Sequence, residues 1–280
     1  MSQFLTDALK YPFLHYALAA SVLASIACGI IGSYVVVRRT TYIAGAISHC
    51  VLGGMGVARY LQRVHGVEWM TPLVGATIAA VLSAWIIGFV AIRARQRMDT
   101  VLSAVWALGM AIGISFIMVT PGYNEDLMSY LFGNILMVAR DDLRLMVVLN
   151  VVVVTCTALF YNKLLAISFD EQLARLRGIR VQVYEFVFLT LTALTIVLLV
   201  KVVGTVLVIA LLTLPSATAG YFTTRLSHMM VVSVLLSIAF TIGGLAISYA
   251  PEWPAGATII ELSGIVYLLA MGANRLLWKR

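Results

Sequence analysis

One histidine of this chain lies inside an apolar segment where few side chains could bind an ion. His49 falls about eight residues into an apolar run that begins near residue 42, roughly 12 Å along a helix. Neutral imidazole is a common ligand of zinc and similar ions, so a function in ion binding is one interpretation. The other is a core histidine that hydrogen-bonds a neighbouring helix. Ser48 and Cys50 flank His49 but point about 100° away, which makes them poor co-ligands.

A second ionisable candidate and two irregular stretches complete the set. Glu261 falls in the outer third of the last apolar run, where a bare carboxylate is costly, so it either serves function or pairs with a residue such as Lys201. Residues 40–56 are rich in glycine, and residues 200–220 are interrupted by glycine and proline. The residues predicted to line a path or to break a helix are Gly45, Ser48, Gly53, Gly54, Gly204, Pro215 and Ser216.

The composition indicates which elements must position these residues. The 280 residues are 62% hydrophobic and 11% charged, with a mean hydropathy of +1.01, whereas a soluble domain has about 25% charged residues. This excludes a soluble enzyme, a disordered chain and a disulfide-rich secreted module. The sequence predicts a single all-α polytopic membrane domain over residues 1–280. We expect nine spanning helices, with eight as the alternative, from apolar runs near 13–37, 42–61, 71–92, 101–120, 143–160, 183–201, 203–221, 229–249 and 257–277.

The basic residues predict the orientation in the membrane. With the N-terminus outside, 13 of the 19 Lys and Arg residues fall in inner loops or the C-terminal tail, five fall outside, and Lys201 lies near the outer end of its run. Positive residues accumulate on the cytoplasmic side, so we expect an external N-terminus and a cytoplasmic C-terminus. The net charge of +7 is explained by this topology rather than by nucleic-acid binding.

The longest inner loop, residues 161–182, carries a short helical pattern. Ser168 is the expected N-cap, Asp170 and Glu171 suit the first turn, and Gly178 suits the C-terminus. The apolar face of the helix would consist of Leu173, Ala174 and Leu176. Such a helix either docks into a groove on a partner or lies at the lipid interface.

Six segments of the chain, taken together and in order, resemble a known family. They are VVRRTTYIAGAISHCVLGG, DTVLSAVWALGMAIGIS, DLMSYLFGNIL, FDEQLARLRGI, VKVVGTVLVIALLTLPSATA and PAGATII, and they extend over roughly residues 13–275. The sequence is similar to the permease subunit of bacterial ABC importers for divalent metals, the zinc, manganese and iron family called ABC-3. The resemblance implies a type II ABC importer-like permease in the bacterial cytoplasmic membrane.

The resemblance also implies partners. Family permeases pair with a second copy of themselves around the translocation path, bind a cytoplasmic ABC ATPase dimer, and receive the metal from an extracytoplasmic metal-binding protein. The sequence itself has no GxxxxGK[ST] phosphate loop, so we expect a transport subunit that is not an enzyme, with ATP hydrolysis on another chain. The residues that match the family's ATPase-coupling element are Phe169, Asp170, Glu171, Leu173, Leu176, Arg177 and Gly178.

The resemblance gives His49 a role, with one departure from the family pattern. In the family, the first inner loop leads into a D-x-x-x-H pattern whose Asp and His are candidates for the metal gate. His49 matches the histidine, but Gly45 stands where the family has Asp. Histidine without a carboxylate favours Zn²⁺ over manganese, and manganese or iron is the next candidate that the resemblance offers. No permanently bound cofactor is expected, only the transported divalent metal.

Two other function classes compete with this interpretation. An intramembrane enzyme would need a motif such as HExxH or GxSxG, and neither occurs in the sequence. A secondary transporter of metals or small solutes, working without an ATPase partner, is the alternative. Such transporters usually carry intramembrane carboxylates and inverted repeats, and this sequence offers only Glu261 and no visible repeat.

Overall fold

Apolar runs of this length fold as helices because no water is present in a bilayer to bond an unpaired backbone group. The computed structural model describes residues 7, 10–93, 98–121, 133, 135 and 138–277, and this part of the chain contains helices and no strands. The all-α prediction is confirmed. The helices are α1 Pro12–Val37, α2 Thr41–Val64, α3 Pro72–Arg93, α4 Met98–Val119, α5 Arg140–Phe169, α6 Glu171–Leu176, α7 Val181–Phe222, α8 Leu226–Tyr249 and α9 Ala255–Leu277.

The number of spans is the lower of the two predicted values. Over the described residues, eight helical segments are long and apolar enough to cross a membrane. The segment Leu207–Phe222 is apolar but shorter than these. It corresponds to the predicted run at 203–221, so that run exists as a helix but falls below full spanning length. The turn PGYNED and the apolar stretch at 126–139, which is too short to span, predict a short helix at the outer surface. This segment lies outside the described residues apart from positions 133, 135, 138 and 139.

Helix α7 consists of two helical segments, because the chain reverses its direction within it. Gly204 has a φ of 78° and a ψ of 167°, which only glycine adopts readily. The Phe188 ring lies 6.3 Å from the Tyr34 ring, while Gly32, two residues earlier on α1, lies against the Leu212 carbonyl. A straight helix would separate 188 from 212 by about 36 Å. The chain therefore reverses near Gly204, and its role as a helix break is confirmed.

Long-range contacts sort the helix ends into two groups. At one end, Arg38, which follows α1, pairs with Glu171 at the start of α6 and with Glu185 near the start of α7. At the other end, the Tyr249 hydroxyl at the end of α8 lies 3.0 Å from Asp7, just before α1. The ends of α1 and α5 and the beginnings of α6 and α7 therefore share one end of the bundle. The predicted cytoplasmic position of that end remains a prediction.

Close contacts at glycine residues bring α3 and α4 against α2. A Cβ on Gly109 of α4 would lie 2.7 Å from Cys50 Cα, and one on Gly53 would lie 2.6 Å from the Gly109 carbonyl. Gly54 is in similarly close contact with Gly75 of α3. Helices in membranes associate through small residues of this kind. Of the two roles predicted for Gly45, Gly53 and Gly54, a helix break is excluded, since α2 is continuous from Thr41 to Val64 and all three glycines pack against other helices. A role in lining a path stays a prediction.

Candidate metal path and coupling surface

His49 lies two turns into α2, at the depth predicted from the sequence. Its side chain is 8% exposed, and Nδ1 has no hydrogen-bond partner among the described residues. A buried polar nitrogen without a partner is costly, so it points to a ligand or to a contact not made within one chain. The interpretation of His49 as a core histidine bonded to a neighbouring helix lacks support at this nitrogen.

A tryptophan from α4 covers one face of the imidazole. The rings of Trp106 and His49 are stacked, with centroids 4.4 Å apart and an interplanar angle of 8°. The Trp106 indole Nε1 donates to the Met110 sulfur at 3.3 Å, which fixes the ring along its own helix. No sequence signal indicates this contact, because the spacing of residues along α4 does not specify which helix they meet.

Gly45, one turn before His49, has no side chain that could bind a metal ion. A Cβ on Gly45 would lie 3.2 Å from Ile209 Cδ1, so the family's Asp position is packed against an aliphatic side chain of α7. Ser48 donates to the Gly45 carbonyl at 2.8 Å, and Cys50 donates to the Val105 carbonyl at 3.2 Å. Both flanking side chains thus donate hydrogen bonds to backbone carbonyls. Over the described residues, no group of three or more His, Cys, Asp or Glu side chains could hold a metal ion.

The remaining candidates are not gathered around His49. Glu261 is exposed on α9; its suggested partner, the Lys201 side chain, lies outside the described residues. Pro215 lies within α7, where Gly204 is the residue with non-helical backbone angles. Ser216 shares a hydrogen bond of 2.6 Å with Ser233 of α8. Pro215 therefore does not break the helix, and Ser216 joins two helices.

The short helix α6 is capped two residues after the expected position. Asp170 is the N-cap, and its Oδ1 accepts hydrogen bonds from the backbone N–H groups of Gln172 and Leu173, both at 2.9 Å. The prediction of Ser168 as the cap is wrong: Ser168 belongs to the last turn of α5 and donates to the Leu164 carbonyl. Helix α5 extends through Ser168, so the Ser168 hydroxyl bonds within α5. Asp170, the next side chain with a hydrogen-bond acceptor, therefore caps α6.

The C-terminus of α6 follows the sequence prediction. Gly178 has a φ of 75°, the left-handed conformation that commonly ends a helix. Its N–H donates to the Arg175 carbonyl at 3.0 Å, and the Arg177 N–H donates to the Leu173 carbonyl at 3.0 Å. Of the residues predicted to couple to an ATPase, Phe169, Leu173, Leu176 and Arg177 are among those exposed.

The exposed face of α6 is more apolar than a solvated helix requires. Leu176 is 85% exposed and Phe169 is 68% exposed, whereas Ala174 is buried against the rest of the chain. Three large apolar side chains grouped at one end of the bundle form a surface suited to a partner. Of the predicted apolar face, Leu173 and Leu176 are exposed, whereas Ala174 points into the chain and does not belong to the exposed face.

Comparison with known proteins agrees with these features. The model of the ABC 3 transport family matches residues 10–274. A "Probable metal transport system membrane protein" of Chlamydia pneumoniae is 36% identical over 97% of this chain and 92% of its own length. The "Manganese transport system membrane protein MntC" of Halalkalibacterium halodurans is 33% identical over 95% of this chain and 89% of its own length.

A solved structure has the same fold over nearly the whole chain. PsaBC from Streptococcus pneumoniae in complex with Fab superposes with a TM-score of 0.85 at 29% identity, covering 96% of this chain and 94% of that one. Family match, relatives and fold agree over the same residues. The chain therefore belongs to the ABC 3 transport family and is a membrane permease subunit of a metal transport system.

Proposed function

We propose that this permease imports a divalent first-row metal ion through a path that passes His49, in a complex with an ABC ATPase dimer and an extracytoplasmic metal-binding protein. The single observation that carries the proposal is the buried His49 Nδ1, which has no hydrogen-bond partner in the described part of the chain. An imidazole nitrogen in that state is free to bind a cation. A second copy of the chain would supply a second His49 and so complete a ligand set.

The ligand chemistry and the relatives favour different ions. Histidine without a neighbouring carboxylate favours zinc, since manganese prefers oxygen ligands. The relatives of this chain include proteins named as manganese transport system membrane proteins. We propose zinc as the preferred cargo and manganese as the second candidate. Competition among zinc, manganese and iron for uptake separates the two.

The test is metal uptake by the complex reconstituted in liposomes with its ATPase and binding protein. His49→Ala should lower zinc uptake at least tenfold at equal permease content, because the mid-membrane ligand is lost. The matched control is His228→Ala, which removes an exposed histidine at the start of α8 and should leave uptake unchanged. Parental uptake by His49→Ala would exclude a ligand role. Uptake by the parental permease without the ATPase would instead support a secondary transporter.

The proposed orientation places α6 in the cytoplasm and the α8–α9 connection outside. It is supported by the distribution of basic residues and by the shared end of α1, α6 and α7. In a version lacking Cys28, Cys50 and Cys156, a single cysteine at Trp253 should react with an impermeant reagent from outside, and one at Gln172 only from inside. External labelling at Gln172 would reverse the orientation and remove α6 from the ATPase side.

A further inference from the structure

Arg38 is a buried arginine that joins three helices at one end of the bundle. Its side chain is 7% exposed, and its Nη2 atom lies 2.5 Å from Glu185 Oε2 of α7 and 3.4 Å from Glu171 Oε1 of α6. The guanidinium carbon lies 4.6 Å from the centroid of the Phe188 ring. Removing one partner of a buried ion pair is costly, because the remaining charge is then buried with neither a counter-charge nor water. Arg38 therefore connects the end of α1 to both α6 and α7.

The two glutamates differ in how strongly the surrounding structure restrains them. Glu185 is 15% exposed and belongs to the long helix α7, whereas Glu171 is 49% exposed and begins the short helix α6. Glu185 is thus the fixed partner, and Glu171 is the partner that moves when α6 is displaced. Among the described residues, Arg38 with Glu171 is the one ion pair between α6 and the membrane-spanning helices.

Arg38 also lies in the short connection that leads into the helix that carries His49. Its N–H donates to the Tyr34 carbonyl at the end of α1, and α2 begins only three residues later at Thr41. Between them, Arg39 has a φ of 55°, a left-handed conformation that is uncommon for a residue other than glycine. This corner is too short to absorb a shift of Arg38, so the base of α2 must follow. His49 lies about two turns along the same helix.

We propose that Arg38 is a positioning residue that transmits a displacement of α6 to α2, and thereby to His49. The inference rests on the proposed function and adds that the ATPase, bound on the side of α6, displaces this helix. Glu171 then draws or releases the guanidinium, which stays anchored on Glu185, and the corner between α1 and α2 moves with it. Both carboxylates contact the same nitrogen, Nη2, while Nη1 has no hydrogen-bond partner in the described part of the chain. The planar guanidinium also lies over the Phe188 ring, a geometry that a lysine ammonium does not reproduce.

The test measures metal taken up per ATP hydrolysed by the reconstituted complex, a ratio that does not depend on how much complex assembles. Arg38→Lys and Glu171→Gln should each lower this ratio at least fivefold. The double variant should fall no further than the single variants, because each change removes the same link. The control is Arg144→Gln, which breaks an exposed ion pair with Asp141 and should leave the ratio unchanged.

The outcomes separate this inference from the function on which it rests. If the parental complex imports metal with ATP hydrolysis but Arg38→Lys and Glu171→Gln keep the parental ratio, the role of Arg38 is wrong and the proposed function stands. An additive loss in the double variant, or an equal loss in Arg144→Gln, also overturns the role of Arg38. If the parental permease neither assembles with an ATPase nor imports metal, both proposals fail.

Discussion

The Trp106 indole lies nearly parallel to the His49 imidazole, with ring centroids 4.4 Å apart. The two residues come from α4 and α2, which approach closely because Gly109 and Gly53 leave room for backbone contact. The indole covers one face of the imidazole, and its Nε1 is held by the Met110 sulfur. Access to His49 is therefore restricted on the α4 side, so a cation must approach from another direction or displace the indole.

Replacing Trp106 should change the behaviour of His49 in a graded way. Stacked aromatic pairs contribute about 0.5–1.5 kcal/mol beyond burial, so Trp106→Leu should shift the metal concentration for half-maximal uptake by about 2- to 10-fold. Trp106→Phe keeps a ring and should lie near the parental value. The control is Trp85→Leu, because the Trp85 indole donates its hydrogen bond to Thr190. Equal effects of Leu and Phe at position 106 would show that stacking is not the cause.

Adding the carboxylate that the family places before His49 should change the metal preference. Gly45→Asp puts an oxygen ligand one turn from His49, but its Cβ would lie 3.2 Å from Ile209 Cδ1. We therefore expect Gly45→Asp with Ile209→Ala to raise the ratio of manganese to zinc uptake more than Gly45→Asp alone, because carboxylate favours the harder ion. The matched control is Gly45→Asn with Ile209→Ala. A similar rise with Asn would exclude the charge as the cause.

The exposed apolar face of α6 should be required for binding the ATPase. Leu173→Asp with Leu176→Asp places two charges on this face while leaving the cap at Asp170 intact, so the helix itself persists. We expect loss of ATPase co-purification and at least a tenfold loss of metal uptake. Gln172→Asp adds a charge to the same exposed helix without removing an apolar side chain and should retain both. Normal association of the double Leu variant would assign this face to another contact.

The glycine contacts between α2 and α4 should make a measurable contribution to stability. Gly109→Ala places a Cβ 2.7 Å from Cys50 Cα, so the helices must separate, at a cost of about 1–3 kcal/mol in the free energy of unfolding. Gly264→Ala is the matched control, because no atom lies within 4 Å of a Cβ there. Thermal unfolding midpoints in detergent should fall for Gly109→Ala and stay level for Gly264→Ala. Equal midpoints would mean that α4 shifts without cost.

Features of this protein that depend on residues close together along the chain could be predicted from the sequence. The apolar runs give the helices, since a bilayer leaves the backbone no other way to pair its polar groups. Gly204 marks the reversal of α7 because a left-handed residue interrupts a helix, and Gly178 ends α6 for the same reason. His49 lies at its predicted depth because depth follows from counting residues along one helix.

Tertiary structure alone decided which residues meet. Glu171 and Glu185 reach Arg38 from 133 and 147 residues away, and Trp106 reaches His49 from another helix. Periodicity assigns a side chain to a face of its own helix, but it carries no information about which neighbour packs on that face. That choice depends on where small residues let backbones approach, as at Gly53 and Gly109, and it emerges only when all the helices pack together.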